Sequence, residues 1–304
     1  MAMIPDRSHI KTEQSNPASA SLDALSVEEA VALFAAEDAR VVAAVARQRT
    51  AIAQAVRWVA DAFAGDGRLI YVGAGSSGRL GVLDAAECPP TFCSEPSQVV
   101  GLIAGGDPAL RHSIENVEDD PVAGAQAVVD LYVNENDVVL GIAAGGTTPY
   151  VHGALVEAHD RRAKTIFLIC TDSAHVQLPA GVPDLFIPIL TGPEILTGST
   201  RLKAGTATKL VLNTITTLAM VQIGKTYGNL MVDIDALKNA KLIDRGTRII
   251  MQLTNLPRDS AVALLEKAAG RVKHAIVIHH KHCDLFTAER LLREAGGKLR
   301  RVLQ

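Results

Sequence analysis

A chain of 304 residues that is 48% apolar and 21% charged has the balance of a globular protein with a substantial hydrophobic core, which excludes a largely disordered chain. Its formal net charge of -3 creates no long-range field that would gather nucleic acid or an anionic membrane, so we expect neither as a partner. Four cysteines without a CxxC pair indicate reduced thiols rather than a disulfide framework, and no apolar leader or membrane span stands out. We therefore expect a cytoplasmic protein.

The N-terminal part of the chain predicts an arm followed by helices. The first twenty or so residues are polar and contain serine and proline, which is typical of an irregular segment. Ser26 and Glu29 have the form of a capping box that opens a helix. A second helical pattern covers residues 41–64 and ends at Gly65 and Gly67. We expect residues 1–58 to form this N-terminal arm with its helices.

From residue 68 the pattern changes to short apolar runs that alternate with helical segments. The runs are RLIYV, QVVGLIA, DVVLGIAA, KTIFLIC and DLFIPIL. Strands that are covered on both faces have nearly continuous apolar sequences, so this alternation predicts an α/β fold with a parallel sheet, over residues 59–222. That domain includes a long helix from about residue 202 to 223. Residues 223–304 predict a helical region, in which the type of the apolar run AIVIHH stays open.

A glycine-rich turn in YVGAGSSGRLG, residues 71–81, lies between the first strand and its helix. Gly75 and Gly78 let the backbone approach a ligand, N–H groups point outward at the helix start, and Ser76 and Ser77 add hydroxyl donors. The turn therefore predicts an anion site.

The same turn, as Gly-x-Gly-x-x-Gly, also matches the dinucleotide fingerprint of a Rossmann oxidoreductase. That function requires an acidic residue at the end of the second strand, but here the strand ends in Gly105-Gly106, and Asp107 comes too late. Two adjacent serines also suit a terminal phosphomonoester better than a pyrophosphate linkage.

Two further segments rich in hydroxyls precede helices. AGGTTP, residues 144–149, follows the third strand, and TGSTRLK, residues 197–203, precedes the long helix and adds cations. Loops that follow parallel strands meet at the carboxyl edge of the sheet, where ligands bind in open α/β sheets. Together the three segments predict a phosphate site rather than three ordinary helix caps.

Two glutamates are candidates for proton transfer. Glu87 stands just before Cys88-Pro89-Pro90, and we expect the prolines to stop the helix and to hold this carboxylate near the ligand edge. Glu118 lies in the acidic segment SIENVEDDP, which by itself is compatible with a solvated face. The run HHKHC, residues 279–283, lacks the paired spacing of a zinc module, so we expect no metal site there.

The segments GAGSSGRLGVLDAAECPPTF, AGGDPALRHSIENVEDD, GPEILTGSTRLKAGTATKLVLN and GNLMVDIDALKNAKL closely resemble the N-acetylmuramic acid 6-phosphate etherase family, and the likeness extends from TEQSNPAS to about residue 303. This resemblance implies a sugar isomerase (SIS) fold, with a parallel five-stranded sheet sandwiched by helices, for residues 59–222. It also implies a homodimer with active sites near the subunit interface. The family's second phosphate loop usually reads Ala-Ser-Gly-Arg-Thr-Pro, whereas this chain has Gly145 for the serine and Thr147 for the arginine.

The resemblance implies a lyase that cleaves the D-lactyl ether at C3 of the sugar. In an elimination, a base removes the C2 proton, which is α to the C1 aldehyde, and lactate leaves from C3. Water then adds to the unsaturated sugar. The reaction requires one ionised and one protonated carboxyl group, and it requires neither a metal nor a redox cofactor. By motif position Glu87 matches the proton donor, and we assign Glu118 as the base. The candidate substrate- and phosphate-binding residues are Gly75, Ser76, Ser77, Gly78, Arg79, Thr147, Thr148, Glu194, Ser199, Thr200 and Lys203.

Two other functions would use the same fold and phosphate loops. A sugar-phosphate isomerase also needs a base beside C2, and lactate release separates it from an etherase. A non-catalytic sugar-phosphate sensor is the second alternative, because this fold also serves regulators, including the glucokinase regulatory protein. That regulator carries two SIS units, whereas 304 residues have room for one.

Overall fold

A computed structural model of the chain describes residues 8–236 and 240–304. The first seven residues of the expected N-terminal arm and residues 237–239 of the expected C-terminal region therefore lie outside the described residues. The chain forms two compact units. The first comprises the described part of Met1–Ala86 together with Ser97–Thr216, and the second comprises Glu87–Pro96 and Thr217–Gln304.

A parallel five-stranded sheet forms the centre of the first unit. Its strands have the spatial order β2-β1-β3-β4-β5, and Leu69 of the central strand pairs with Val99 on one side and Val138 on the other. Four strands fall inside the predicted apolar runs and β1 extends one residue beyond its run, to Gly73, so the predicted sheet is confirmed. The bounds are β1 Leu69–Gly73, β2 Val99–Ile103, β3 Val138–Ile142, β4 Lys164–Ile169 and β5 Leu185–Pro188.

Helices cover both faces of this sheet. Their bounds are α1 Val27–Arg47, α2 Arg49–Ala64, α3 Gly75–Phe92, α4 Pro108–Arg111, α5 Pro121–Asp130, α6 Pro149–Asp160 and α7 Lys203–Gln222. α5 and α6 bury Val128 and Leu155 against Ile70 on one face. α3 packs on the opposite face, where the Tyr71 hydroxyl donates a 2.9 Å hydrogen bond to Asp84. Neighbouring residues of a strand point to opposite faces, which is why β1 contributes to both layers.

Two predicted helix boundaries are wrong. The capping box at Ser26 does open α1, but that helix continues to Arg47, because no breaking residue interrupts its alanines and valines at residue 41. The prolines at 89 and 90 do not stop α3, which ends at Phe92. A proline removes the hydrogen bond to the fourth preceding residue and its ring crowds the carbonyl of that residue, and here both effects fall in the last turns of the helix.

The N-terminal arm is irregular, as predicted, but it is packed rather than loose. It consists of short 3-10 turns over Lys11–Glu13, Pro17–Ser19 and Leu22–Ala24. The buried Asn16 amide donates to the Glu37 carboxylate at 2.9 Å and to the carbonyl of Pro193 at 3.2 Å. These bonds fasten the arm to α1 and to the segment that precedes α7.

In its described residues, the second unit is helical apart from one small hairpin. It contains β6 Thr226–Tyr227, β7 Leu230–Met231, α8 Ala240–Thr254, α9 Arg258–Lys267, α10 Val272–Lys281, α11 Leu285–Glu294 and α12 Leu299–Leu303. Its core buries apolar residues of these helices, among them Ile250, Leu265, Ile276 and Leu292. The run AIVIHH, whose type was open, lies within α10. In the described ranges no helix has the length and apolarity that crossing a bilayer requires.

Candidate functional site

A cleft of about 290 Å³ lies at the carboxyl ends of β1, β2 and β3 in the first unit. The loops that follow these strands line it, together with Ile10 and Glu13 of the N-terminal arm and Thr200. β1 and β3 are neighbours, yet their following helices, α3 and α6, cover opposite faces of the sheet. Where the chain leaves two neighbouring strands towards opposite faces of the sheet, a crevice forms between the loops. Ligands bind in this crevice in open α/β sheets.

The loop after β1 places Gly75, Ser76 and Ser77 in the cleft. The N–H groups of Ser77 and Gly78 bond back to the carbonyl of Ala74, which leaves those of Gly75 and Ser76 as the donors at the start of α3. Gly78 does not line the cleft. A side chain at this position would come within 2.6 Å of Ile103, so this glycine allows α3 to pack closely on the sheet.

The loop after β3 places Thr147 and Thr148 in the same cleft. His152 holds this loop, since its ring nitrogen Nε2 lies 2.8 Å from the carbonyl oxygen of Gly146, and burial lowers the pKa of the ring. Among the residues that the structure describes, the hydroxyls of Ser76, Ser77, Thr147 and Thr148 make no hydrogen bond to another protein group. Two predicted loops thus converge, and their hydroxyls are available to a ligand.

The segment before α7 contributes less to the cleft than the sequence predicted. Thr200 lines the cleft, but Ser199 does not. Lys203 was predicted to bind phosphate, but it is 1% exposed and its ammonium lies 2.7 Å from the carboxylate of Glu37. The ammonium therefore forms a buried ion pair with Glu37. Glu194 is fully buried, and its carboxylate accepts hydrogen bonds of 2.9 Å from the N–H groups of Lys203 and Ala204. It therefore caps α7 instead of facing the cleft.

Arg79 lies in the first turns of α3 and lines the cleft, as expected for a residue of the first loop. Its guanidinium donates to two backbone carbonyls of the loop after β2, Leu110 at 3.1 Å and His112 at 3.0 Å. Two of its three nitrogens are thus bonded to protein.

The acidic residues of the segment after β2 have different roles. Asp120 caps α5 by accepting bonds from the N–H groups of Val122 and Ala123, and Glu115 accepts a 3.0 Å bond from the hydroxyl of Ser113. Glu118 is half-buried, lies in the 3-10 turn Val117–Asp119 and lines the cleft. The structure therefore places this candidate base in the same cleft as the free hydroxyls.

Glu87 is an exposed residue of α3 and belongs to the second unit. It does not line the cleft of the first unit. α3 continues past the prolines to Phe92. The prolines therefore do not end the helix ahead of the cleft, and the role of Glu87 at a bound ligand stays a prediction.

Four polar residues that line the cleft were not predicted as site residues: Glu13, His112, Ser113 and Glu115. Glu13 comes from the arm, and an irregular polar segment carries no periodic signal that would identify a wall of a cleft. The carboxylate of Glu13 lies beside Gly198, where an added Cβ would be 3.3 Å from Oε2. Over residues 8–236 and 240–304, no group of three or more His, Cys, Asp or Glu side chains is arranged to hold a metal ion.

A family model that matches this chain agrees with this architecture. Residues 51–159 match the family model described as the glucokinase regulatory protein N-terminal SIS domain, which confirms the predicted SIS fold. Among solved structures, a phosphoheptose isomerase from Neisseria gonorrhoeae has a TM-score of 0.48 and 19% identity, covering 64% of this chain and 98% of that chain.

Curated relatives match over their full length. The chain is 54% identical to the N-acetylmuramic acid 6-phosphate etherase of Gloeobacter violaceus, over 97% of this chain and 95% of that protein. It is 52% identical to the protein of the same name from a Picosynechococcus species, over 100% of both chains. With about half of all positions identical from end to end, the chain belongs to the N-acetylmuramic acid 6-phosphate etherase family.

Proposed function

We propose that this protein is a lyase that cleaves the D-lactyl ether of N-acetylmuramic acid 6-phosphate and yields D-lactate and N-acetylglucosamine 6-phosphate. This reaction serves the recycling of cell-wall amino sugars. One observation carries the proposal: the half-buried carboxylate of Glu118 shares a cleft with the free N–H groups and hydroxyls of two phosphate-type loops. The family membership supplies the identity of the sugar.

The proposed chemistry is an elimination followed by a hydration. The sugar phosphate is anchored by the start of α3 and by the hydroxyls of Ser76, Ser77, Thr147 and Thr148. In the open-chain sugar, Glu118 takes the C2 proton, and the electron pair of that C–H bond forms the C2–C3 double bond while the C3–O bond breaks. Glu87, proposed as the acid from its motif position, protonates the departing lactate oxygen. Water then adds its hydroxyl to C3 and a proton to C2.

The attraction between the cleft and an anionic substrate has to come from nearby groups, because the protein as a whole has a slightly negative net charge. The substrate carries a phosphate and a lactyl carboxylate, and the cleft itself contains the carboxyl groups of Glu13, Glu115 and Glu118. Hydrogen-bond donors at the helix start and on the hydroxyls offset this repulsion at short range.

The first test is incubation of the purified protein with N-acetylmuramic acid 6-phosphate, without added metal or nucleotide. We expect release of D-lactate and N-acetylglucosamine 6-phosphate in equal amounts, measured by a lactate dehydrogenase assay and by mass spectrometry. A sugar-phosphate isomerase would change the sugar without lactate, and a sensor would bind it unchanged. Complete loss of activity with EDTA would contradict the metal-free mechanism.

The second test concerns the phosphate site. Ser76→Ala and Ser77→Ala should each raise KM and leave the fold intact. Each change removes a hydrogen bond to a charged group, which costs ~1.5 to 3 kcal/mol and corresponds to roughly 10- to 150-fold in affinity. Ser199→Ala is the matched control, because Ser199 lies in a predicted phosphate segment but does not line the cleft. If both cleft variants had wild-type kinetics, this loop would not be part of the phosphate site.

We also propose a cytoplasmic homodimer in which residues 59–222 form the catalytic SIS domain. The four cysteines are free thiols, as in a reducing compartment. α1 exposes several valines, with Val27 74%, Val31 62% and Val42 63% accessible. Such an apolar surface on one helix suits contact with a second copy of the chain. We propose no nucleic-acid partner, and this stays an expectation from the net charge.

A further inference from the structure

Arg79 makes a contact that its motif position does not explain. Its Nε and Nη2 atoms donate to the carbonyl oxygens of Leu110 and His112, which lie more than thirty residues further along the chain. The planar guanidinium is suited to bridging two acceptors in this way, since its donors are held in a fixed fork. The first turns of α3 are thereby joined to the loop that follows β2.

That loop carries Glu118, and its remaining attachments are equally specific. Gly105, at φ +84°, leaves room for Ile114 and Val117, which lie 3.3 and 3.4 Å from where its Cβ would be. Asn116 adopts a left-handed conformation at φ 67°, and the following 3-10 turn presents Glu118. Beyond Glu118, Asp120 caps α5 with two hydrogen bonds to backbone N–H groups.

The two ends of this loop are therefore held by different means. Apolar packing and a helix cap hold the part near Glu118, whereas the part at residues 110–112 is bonded to Arg79 on α3. Hydrogen bonds to a charged donor are about twice as strong as neutral ones, so this attachment is a substantial one.

We propose that Arg79 is a positioning residue, which sets the Glu118 carboxylate relative to the phosphate-binding start of α3. It thus acts through the loop and is not principally a phosphate ligand. This inference rests on the proposed function, since it concerns where the base stands relative to a bound sugar phosphate. Arg79 lies only four positions after Gly75, so the same end of α3 positions both the anion site and the base.

The proposal can first be tested without substrate, by hydrogen exchange on the wild type and on Arg79→Lys. Lysine keeps the positive charge but has no planar fork to bridge two carbonyls. We expect the amides of residues 110–118 to exchange about tenfold faster, while those of β1 and α3 keep their protection. Unchanged exchange across residues 110–118 would overturn the proposal whether or not the protein proves to be an etherase.

Kinetics then separate positioning from phosphate binding. For Arg79→Lys and Arg79→Met we expect kcat for lactate release and the rate of C2 proton exchange to fall together by about 100-fold. KM and the inhibition constant of inorganic phosphate should stay within about threefold of wild type. Arg111→Lys, in the same region but outside the cleft, should be unaffected.

A phosphate ligand would behave differently. The inhibition constant of inorganic phosphate would then rise steeply in Arg79→Met, rise less in Arg79→Lys, and kcat would be retained. That pattern would refute the positioning role. Absence of lactate release by the wild type would instead refute the proposed function, and the hydrogen-exchange result would still decide whether Arg79 holds the loop.

Discussion

Replacing Glu118 with glutamine is expected to reduce lactate release by about 10²- to 10⁴-fold, the usual contribution of a general base. An amide cannot accept the C2 proton, so exchange of that proton with solvent deuterium should fall by the same factor. The change is nearly isosteric, and Glu118 is only half-buried, so the fold should be kept. Stopped assays of lactate and NMR of the C2 position measure the two rates.

Glu115→Gln is the matched control for this variant. Glu115 lines the same cleft, and its carboxylate accepts a bond from Ser113, which an amide oxygen can also accept. We expect a smaller effect on C2 exchange than for Glu118→Gln. If Glu115→Gln suppressed exchange and Glu118→Gln did not, the base would be misassigned.

Glu87→Gln tests the other half of the mechanism. It should block departure of lactate, because the leaving oxygen loses its proton donor, while slow C2 exchange survives. In the wild type, oxygen from labelled water should appear at C3 of the sugar and not in lactate, as cleavage of the C3–O bond requires. If Glu87→Gln alone lost C2 exchange, the two roles would be reversed. Full activity in both glutamine variants would rule out the two-carboxylate mechanism.

Lys203→Met should destabilise the fold by about 3 to 5 kcal/mol near neutral pH, because it removes the buried cation of the Glu37 carboxylate and leaves only the exposed Arg40 beside it. Chemical denaturation followed by circular dichroism measures this difference. Arg40→Met is the control: Arg40 contacts the same carboxylate at 2.7 Å, but its side chain is 70% exposed. An exposed partner of this kind contributes at most about 1 kcal/mol.

The pH dependence of Lys203→Met follows from the pKa of Glu37. Burial by itself raises this pKa, but hydrogen bonds from Lys203 and Asn16 and the charges of Lys203 and Arg40 outweigh it, so the pKa lies below its usual value. In the wild type this carboxylate therefore stabilises the fold above its usual pKa, and the contribution is lost as pH falls through the lowered value.

Without Lys203, burial should dominate and raise the pKa of Glu37. The instability of the variant should then shrink as pH falls, because the buried carboxylate, which has lost the Lys203 ammonium, takes up a proton. A deficit that stayed constant with pH would show that lost packing, and not an unpaired charge, causes the instability. Unchanged stability at neutral pH would contradict the buried ion pair itself.

The sequence by itself determined the features that depend on local backbone preference and on periodicity. The nearly continuous apolar runs predicted the five strands, and Ser26 with Glu29 predicted the start of α1. The glycines and hydroxyls of residues 73–78 predicted an anion-binding turn, and the structure places Gly75, Ser76 and Ser77 in the cleft. These signals lie within a few residues of one another, so no knowledge of packing is needed to recognise them.

Only the tertiary structure decided which charged side chains remain available to a ligand. Lys203 finds its partner 166 residues away in Glu37, and Arg79 bonds to carbonyls 31 and 33 residues ahead. The wall formed by Glu13 exists only because the arm packs beside the segment that contains Gly198. The free energy of burying a charge depends on which counter-charges the fold brings near it, and no local pattern in the sequence encodes that distance.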